Sequence, residues 1–359
     1  MSAMALPALL PHEQALLRGS IVPYTANQSL ALGYPMALDG SGEQPLVAWR
    51  YLGDRLLEGA FFQDNFSAME AADMRVCYTP LSALAQFDAG RGLRCMQPSA
   101  FVFHVSRCGS TLVTQMLSQL PSCVALSEPP VLDSFFRLLH AQTLGVQPLG
   151  FDGALIFRQL LAALGQVRRT SEAHLIVKLD CWHAPWMPWV RQAYPDVPMV
   201  FLYREPQQVL DSHARQRGMQ MVPGMLPLGP LQLAGQMQHA GDLDGYTQQV
   251  LDAIFRSGVA LAQANGLQLL NYQQLPKVVW ELLMPALGIA CDALGLQAVQ
   301  KRGQSHAKHR GAQFVGDSKV DIPARSGPAC DELAASYAVL EAQRLQHDVG
   351  QGDWGANRC

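Results

Sequence analysis

Charge is scarce in this chain. Only 15% of its 359 residues are Asp, Glu, Lys or Arg, against 49% hydrophobic. A chain so apolar can bury enough surface to offset ordering, which excludes extensive disorder. Positive charge is not in excess either: 26 Lys and Arg face 29 acidic residues, for a net charge of −3. A general nucleic-acid binder is thereby excluded, and any anion site must be local. No apolar run reaches eighteen residues, so no membrane span is expected. The eight cysteines, Cys77, Cys95, Cys108, Cys123, Cys181, Cys291, Cys330 and Cys359, form no C-x-x-C pair. Their irregular spacing argues against a zinc site or a disulfide framework, and the expected state is reduced thiols in a cytoplasmic protein. The opening stretch "MSAMALPALLPHEQALLRGS" lacks a basic segment and is interrupted by Pro7 and Pro11, unlike a signal peptide. There is no internal repeat and no low-complexity segment.

The length suits one large α/β domain plus an extra segment. Residues 1–98 are rich in Pro, Gly and Ala and form an N-terminal extension of unclear fold. Within them "VAWRYLGDRLLEGAFFQDNF" is expected to place Trp49, Leu52, Leu56 and Phe61 on one face of a helix or helix–turn unit. The main domain, 99–350, begins after Gln97-Pro98. There "AFVFHV" reads as a buried strand, and "TLVTQMLSQL" has helical spacing at Leu112, Val113, Met116, Leu117 and Leu120. Three more strand-like runs, "HLIVKL", "VPMVFLY" and "LQLLNY", each follow a helical stretch. Such alternation implies a mostly parallel sheet flanked by helices, with ligands at the carboxyl ends of the strands. The residues to examine are therefore Ser106 to Thr111, Lys178 to Asp180, and Arg204-Glu205. A last helical stretch, "DELAASYAVLEAQRLQHD", lies in the tail.

The first strand ends in Ser106, Arg107, Cys108, Gly109, Ser110 and Thr111, which turn directly into a helix. Gly109 lets the backbone approach an anion, and the helix dipole and amides favour negative charge there. Ser110 and Thr111 add hydroxyls, and Arg107 offers a planar fork. Each good contact contributes about 1–2 kcal/mol. The ordinary alternative is a strand–turn–helix in which Ser and Thr merely cap the helix. A second segment, "FLYREPQQVLDSH", is again a strand ending in a charged turn before a helix. Arg204 ends it, and Ser212 follows about two helical turns on.

Together these segments resemble the sulfotransferase family, whose donor is 3′-phosphoadenosine-5′-phosphosulfate. "SRCGSTLV" is similar to the family's [KR]-[ST]-G-[ST]-[ST] loop in its bacterial and carbohydrate-type arginine version, with Cys108 at the variable position. That likeness implies 5′-phosphosulfate binding by Arg107, Cys108, Gly109, Ser110 and Thr111. "REPQQVLDS" resembles the second motif, R-[ND]-P with a serine eight residues after the arginine. It implies that Arg204 and Ser212 bind the 3′-phosphate, with Glu205 standing where Asp or Asn is usual. "LSEPPVLDSFF" resembles the glutamate-proline segment of carbohydrate-type members. The likeness covers about residues 99–275. It implies a three-layer P-loop α/β fold, a sulfuryl transfer to a hydroxyl or amine, and no required metal.

In such a transfer Arg107 is the expected cationic stabiliser. Glu128 is the leading base, with burial expected to raise its pKa; alternatively, Ser127-Glu128-Pro129-Pro130 simply starts a helix. In "VKLDCWH", Asp180 stands where cytosolic-type members carry a histidine base. Lys178 is expected either to touch the sulfuryl oxygens or to pair with Asp180, and His183 is a further possible base. The basic stretch 301–319 holds Lys301, Arg302, Lys308, Arg310 and Lys319. Arg310-Gly311 is similar to the segment that closes over the 3′-phosphate, and a solvated basic loop is the alternative. Residues 213–230, rich in Gly, Pro and Met, are expected to form a long loop beside Ser212, suited to an acceptor-binding lid. The implied acceptor is a small molecule, sugar or lipid. An ATP-using P-loop kinase and a non-catalytic nucleotide-binding or interaction relative are the other readings.

Overall fold

The computed structural model describes residues 8–25, 28–53, 55–67, 69, 74–145, 151–231, 241–264, 266–305 and 328–349. Among the described residues, nine strands make two sheets. Strands β1 (Ser20–Ile21), β2 (Gly33–Asp39), β3 (Leu46–Tyr51) and β4 (Arg75–Pro80) form a four-stranded sheet in the order β1-β4-β3-β2. Strands β5 (Pro98–His104), β6 (Cys123–Ser127), β7 (His174–Lys178), β8 (Met199–Tyr203) and β9 (Gln268–Asn271) form a five-stranded sheet in the order β6-β7-β5-β8-β9. The β6–β7, β5–β8 and β8–β9 pairings are all parallel. The expected parallel α/β core is therefore present. The chain divides into two compact units, residues 1–99 with 121–178, and residues 100–120 with 179–359.

In the first unit, the stretch expected to be helical from Val47 is instead strand β3, paired antiparallel to both β2 and β4. Trp49 decides this locally. It is 2% exposed, its indole N–H donates to Thr79 Oγ1 at 2.9 Å, and its ring stacks on Phe87 at 5.6 Å. Leu56, assigned to the same helical face, is 42% exposed. Pairing with two neighbours satisfies the backbone of Leu46–Tyr51, and that outweighs a short run of helix-compatible spacing. The edge strand β2 is covered by side chains. Ser134 accepts from the Leu38 amide at 2.8 Å, and Gln166 bonds both Leu32 N and Gly33 O, at 2.9 and 2.8 Å. Such cover blunts an edge that would otherwise invite pairing with another chain. Strand β6, unrecognised in "CVALS", lies parallel to β7. The helix Pro130–Thr143 follows it, with Pro130 in the first turn, where a missing N–H costs nothing.

In the second unit, helices Ser110–Leu117, Pro206–Arg215 and Leu243–Gln263 match the sequence periodicity. Gly258 sits where an added Cβ would meet the Phe201 ring at 2.5 Å, so its lack of a side chain lets the long helix lie close on β8. The tail helix Pro328–Val349 is anchored through Glu341. That carboxylate accepts from Tyr203 Oη at the end of β8, from Asn271 Nδ2 at the end of β9 (2.9 Å), and from Arg344 (3.0 and 3.1 Å). Among the described residues, no helix is long and apolar enough to cross a membrane.

Burial alone would raise the Glu341 carboxyl, but the bonds from Arg344, Tyr203 and Asn271 outweigh it and hold the group below its ordinary value. Its contribution is therefore fully present above the ordinary value of 4.5 and is lost as pH falls through the depressed one. Glu341→Gln is expected to lower unfolding free energy by about 1–3 kcal/mol at neutral pH. Denaturant titrations should show this gap closing as the pH drops below 4.5.

Candidate functional site

Strand β5 runs into a turn whose backbone is held in unusual conformations. Ser106 has φ 72°, Arg107 φ 50° and Gly109 φ 84°, all in the left-handed region. Non-glycine residues there cost about 1–3 kcal/mol each and concentrate at functional sites. The opening amides of helix Ser110–Leu117, which follows directly, have no acceptor within the helix and are available to an anion. Gly109 is needed twice over. Its φ is positive, and an added Cβ would sit 2.5 Å from Leu275 Cδ1 and 3.1 Å from Tyr272 Cδ2. Ser110 and Thr111 are buried at the helix start. Cys108 turns away from the turn's open side: its thiol, fully buried, donates to Leu202 O at 3.2 Å. Any part it has in anion binding falls to its backbone.

Arg204, at the end of β8, comes directly onto this turn. It is 7% exposed, and Nη1 donates to the Arg107 carbonyl at 3.2 Å. Its guanidinium carbon stands 4.1 Å from the centre of the Tyr272 ring, and Nε donates to Gln208 Oε1 at 2.9 Å. Glu205 explains its own departure from Asp or Asn. It caps helix Pro206–Arg215, accepting from Gln207 N at 3.0 Å and Gln208 N at 2.8 Å, as a shorter acid would. Ser212 lies on that same helix and is partly exposed. Arg107 extends its Nη2 to the Gln216 carbonyl at 2.5 Å. The two basic motifs thus meet through the Arg204–Arg107 contact.

The expected long loop is present but begins after Arg215, where the helix that carries Ser212 ends, and it includes two short 3-10 turns, Met219–Met221 and Gly229–Leu231. Gln220 and Met221 are buried, and Gln220 Nε2 donates to Ser106 Oγ at 3.2 Å. His213, fully buried, places Nε2 at 3.2 Å from the same hydroxyl. Neither contact was legible in the sequence, because both partners lie more than a hundred positions from Ser106 and follow no periodicity. Asp180 is buried at the start of a short 3-10 turn, with His183 Nδ1 3.9 Å from its carboxylate. Arg302 bonds Gln115 Oε1 at 3.3 Å, tying the helix Ala293–Gly303 to helix Ser110–Leu117. Arg310, Lys308 and Lys319 lie outside the described residues.

Glu128 and Lys178 belong to the first unit and face each other. Lys178 is fully buried; Nζ donates to Glu128 Oε1 at 2.6 Å and to Ser127 Oγ at 3.1 Å, and it stands 5.2 Å from the centre of the Phe61 ring. Glu128 too has a left-handed backbone, φ 57°, and its N–H donates to Lys178 O at 2.9 Å. Lys178 therefore has Glu128 as its ion-pair partner at this strand end. Among the described residues no group of three or more His, Cys, Asp or Glu is arranged to hold a metal ion.

No protein-family model and no curated protein sequence matches the chain. Among solved structures, the chain is similar to the sulfotransferase domain of the Synechococcus PCC 7002 olefin synthase, at 15% identity and TM-score 0.39, covering 69% of this chain and 96% of that one. It is also similar to the sulfotransferase domain from the curacin biosynthetic pathway (17%, 0.39, 68% and 98%). A sulfotransferase from Alicyclobacillus acidocaldarius aligns likewise (17%, 0.39, 69% and 96%).

Two outcomes are expected on stability. Gly109→Ala should cost about 1–3 kcal/mol, from the left-handed backbone and the contact with Leu275. Lys178→Met leaves the Glu128 carboxylate without its ion pair and should cost about 3 kcal/mol. Chemical denaturation of each variant against wild type measures both.

Proposed function

We propose that the protein is a sulfotransferase that moves a sulfuryl group from 3′-phosphoadenosine-5′-phosphosulfate to a hydroxyl or amine of a small molecule, sugar or lipid. One observation carries this reading: the buried Arg204 guanidinium bonds the Arg107 carbonyl of the strained turn. A donor with two separate anionic ends needs two basic motifs side by side, and the Arg107 turn and the Arg204–Ser212 segment supply them. Arg107 to Thr111 are assigned to the phosphosulfate and Arg204 with Ser212 to the 3′-phosphate, with Arg310 a further contact to that phosphate. In the reaction, the acceptor oxygen or nitrogen forms a bond to sulfur while the sulfur–oxygen bond to the 5′-phosphate breaks. The negative charge that develops on the leaving phosphate is met by Arg107 and the turn's amides. The acceptor's proton passes to a carboxylate, which we assign to Glu128, oriented by Lys178; Asp180 is the alternative base. Loss of a positioned base costs about 10²–10⁴ in rate, so Glu128→Gln and Asp180→Asn separate the two.

Calorimetry with adenosine 3′,5′-bisphosphate tests the donor site. Wild-type protein is expected to bind it, and Arg204→Ala to bind at least about tenfold more weakly, as for one lost hydrogen bond to a charged group. An absence of wild-type binding, or turnover of ATP with Mg²⁺ instead, overturns the reading. Incubation of wild-type protein with labelled donor and cell extract then identifies the acceptor.

A further inference from the structure

Ser106 precedes the turn's arginine and belongs to neither motif, yet its hydroxyl is held by two buried side chains. Gln220 Nε2 donates to Ser106 Oγ at 3.2 Å, and His213 Nε2 lies 3.2 Å from the same atom. The imidazole's role follows from its other nitrogen. Gly218 N–H donates to His213 Nδ1 at 3.3 Å, so Nδ1 accepts and the ring proton is on Nε2. Ser106 Oγ thus receives two hydrogen bonds. A hydroxyl has two acceptor positions and one hydrogen, so only the hydrogen is left. Ser106 is 7% exposed, His213 0% and Gln220 8%, and among the described residues the Ser106 hydroxyl hydrogen meets no acceptor. A buried O–H without an acceptor is unfavourable by itself, and a ligand that completes it brings an acceptor atom. The backbone points the same way. Ser106 is held at φ 72° with its N–H donating to His104 Nδ1 at 3.1 Å, which fixes the residue at the mouth of the turn.

We infer that Ser106 is a binding residue whose hydroxyl donates to a phosphate or sulfonate oxygen held in the Arg107–Thr111 turn, with His213 and Gln220 as the positioning residues that commit it to donate. The identity of the oxyanion rests on the sulfotransferase reading; the donor role of the hydroxyl does not. Three probes distinguish these: adenosine 3′,5′-bisphosphate, adenosine 3′-phosphate and inorganic pyrophosphate, each titrated into wild type, Ser106→Ala and Ser106→Cys. The cysteine variant keeps a group of similar size and a much weaker donor, and it serves if the alanine variant does not fold. Both variants are expected to lose about tenfold or more in affinity for the bisphosphate and for pyrophosphate, with adenosine 3′-phosphate unchanged. A loss of less than twofold for the bisphosphate and pyrophosphate, or an equal loss for all three probes, overturns the inference, because the second pattern is that of a merely structural residue. If wild type binds pyrophosphate in a Ser106-dependent way but neither nucleotide, the inference stands and the sulfuryl-transfer reading falls. If wild type binds none of the three, both fall.

Discussion

The second unit depends on one buried cation. Arg204 leaves the end of β8 and is fixed on three sides, by the Tyr272 ring, the Gln208 amide oxygen and the carbonyl of Arg107. A guanidinium suits this place because it is planar and cannot lose its proton, so it stacks on a ring and still presents donors in its plane. An ammonium has no plane to lay on the ring and no fork of donors in fixed directions. The Arg204–Arg107 bond joins two strand ends that are neighbours in the sheet, β5 and β8. It converts two stretches of sequence about a hundred residues apart into a single polar surface.

Around that contact the chain stores backbone strain and holds it with packing. Left-handed conformations at Ser106 and Arg107 would relax in an isolated loop, since each costs about 1–3 kcal/mol. They persist because the turn is tied down at every step. The Ser106 amide bonds His104, the Cys108 thiol is drawn into the core against Leu202, and Gly109 is packed beneath Leu275 and Tyr272. Glu128 shows the same arrangement in the first unit, a left-handed carboxylate residue held by Lys178 through both backbone and side chain. A preorganised polar site gains its strength this way, with donors fixed before any ligand arrives. The tail helix adds to it by closing Glu341 onto Tyr203 and Asn271, the residues that precede Arg204 and Tyr272 in the chain.

Much of the five-stranded sheet and of its flanking helices was legible from residue patterns. Apolar runs ending in charged turns located β5, β7, β8 and β9, because a strand buried on both faces has nearly continuous hydrophobicity. Helical periodicity located the flanking helices. Gly109, with small hydroxyl residues after it, marked the turn, and Arg204 and Ser212 were visible through their spacing. Strand β6 was missed because "CVALS" is short and its alternation weak. The stretch from Val47 was misread because its apolar residues fit a helical period as well as a strand, and only pairing with β2 and β4 decides between them.

Composition and local pattern by themselves determined the class of fold, the lack of net positive charge, and the two basic turns. These are properties of neighbouring residues, governed by steric preference and burial. Tertiary structure alone decided which atoms meet: Arg204 on the Arg107 carbonyl, Lys178 on Glu128, and His213 and Gln220 on Ser106. Such contacts join positions far apart in the chain, and hydrogen bonding acts over about 3 Å, so no local pattern encodes them.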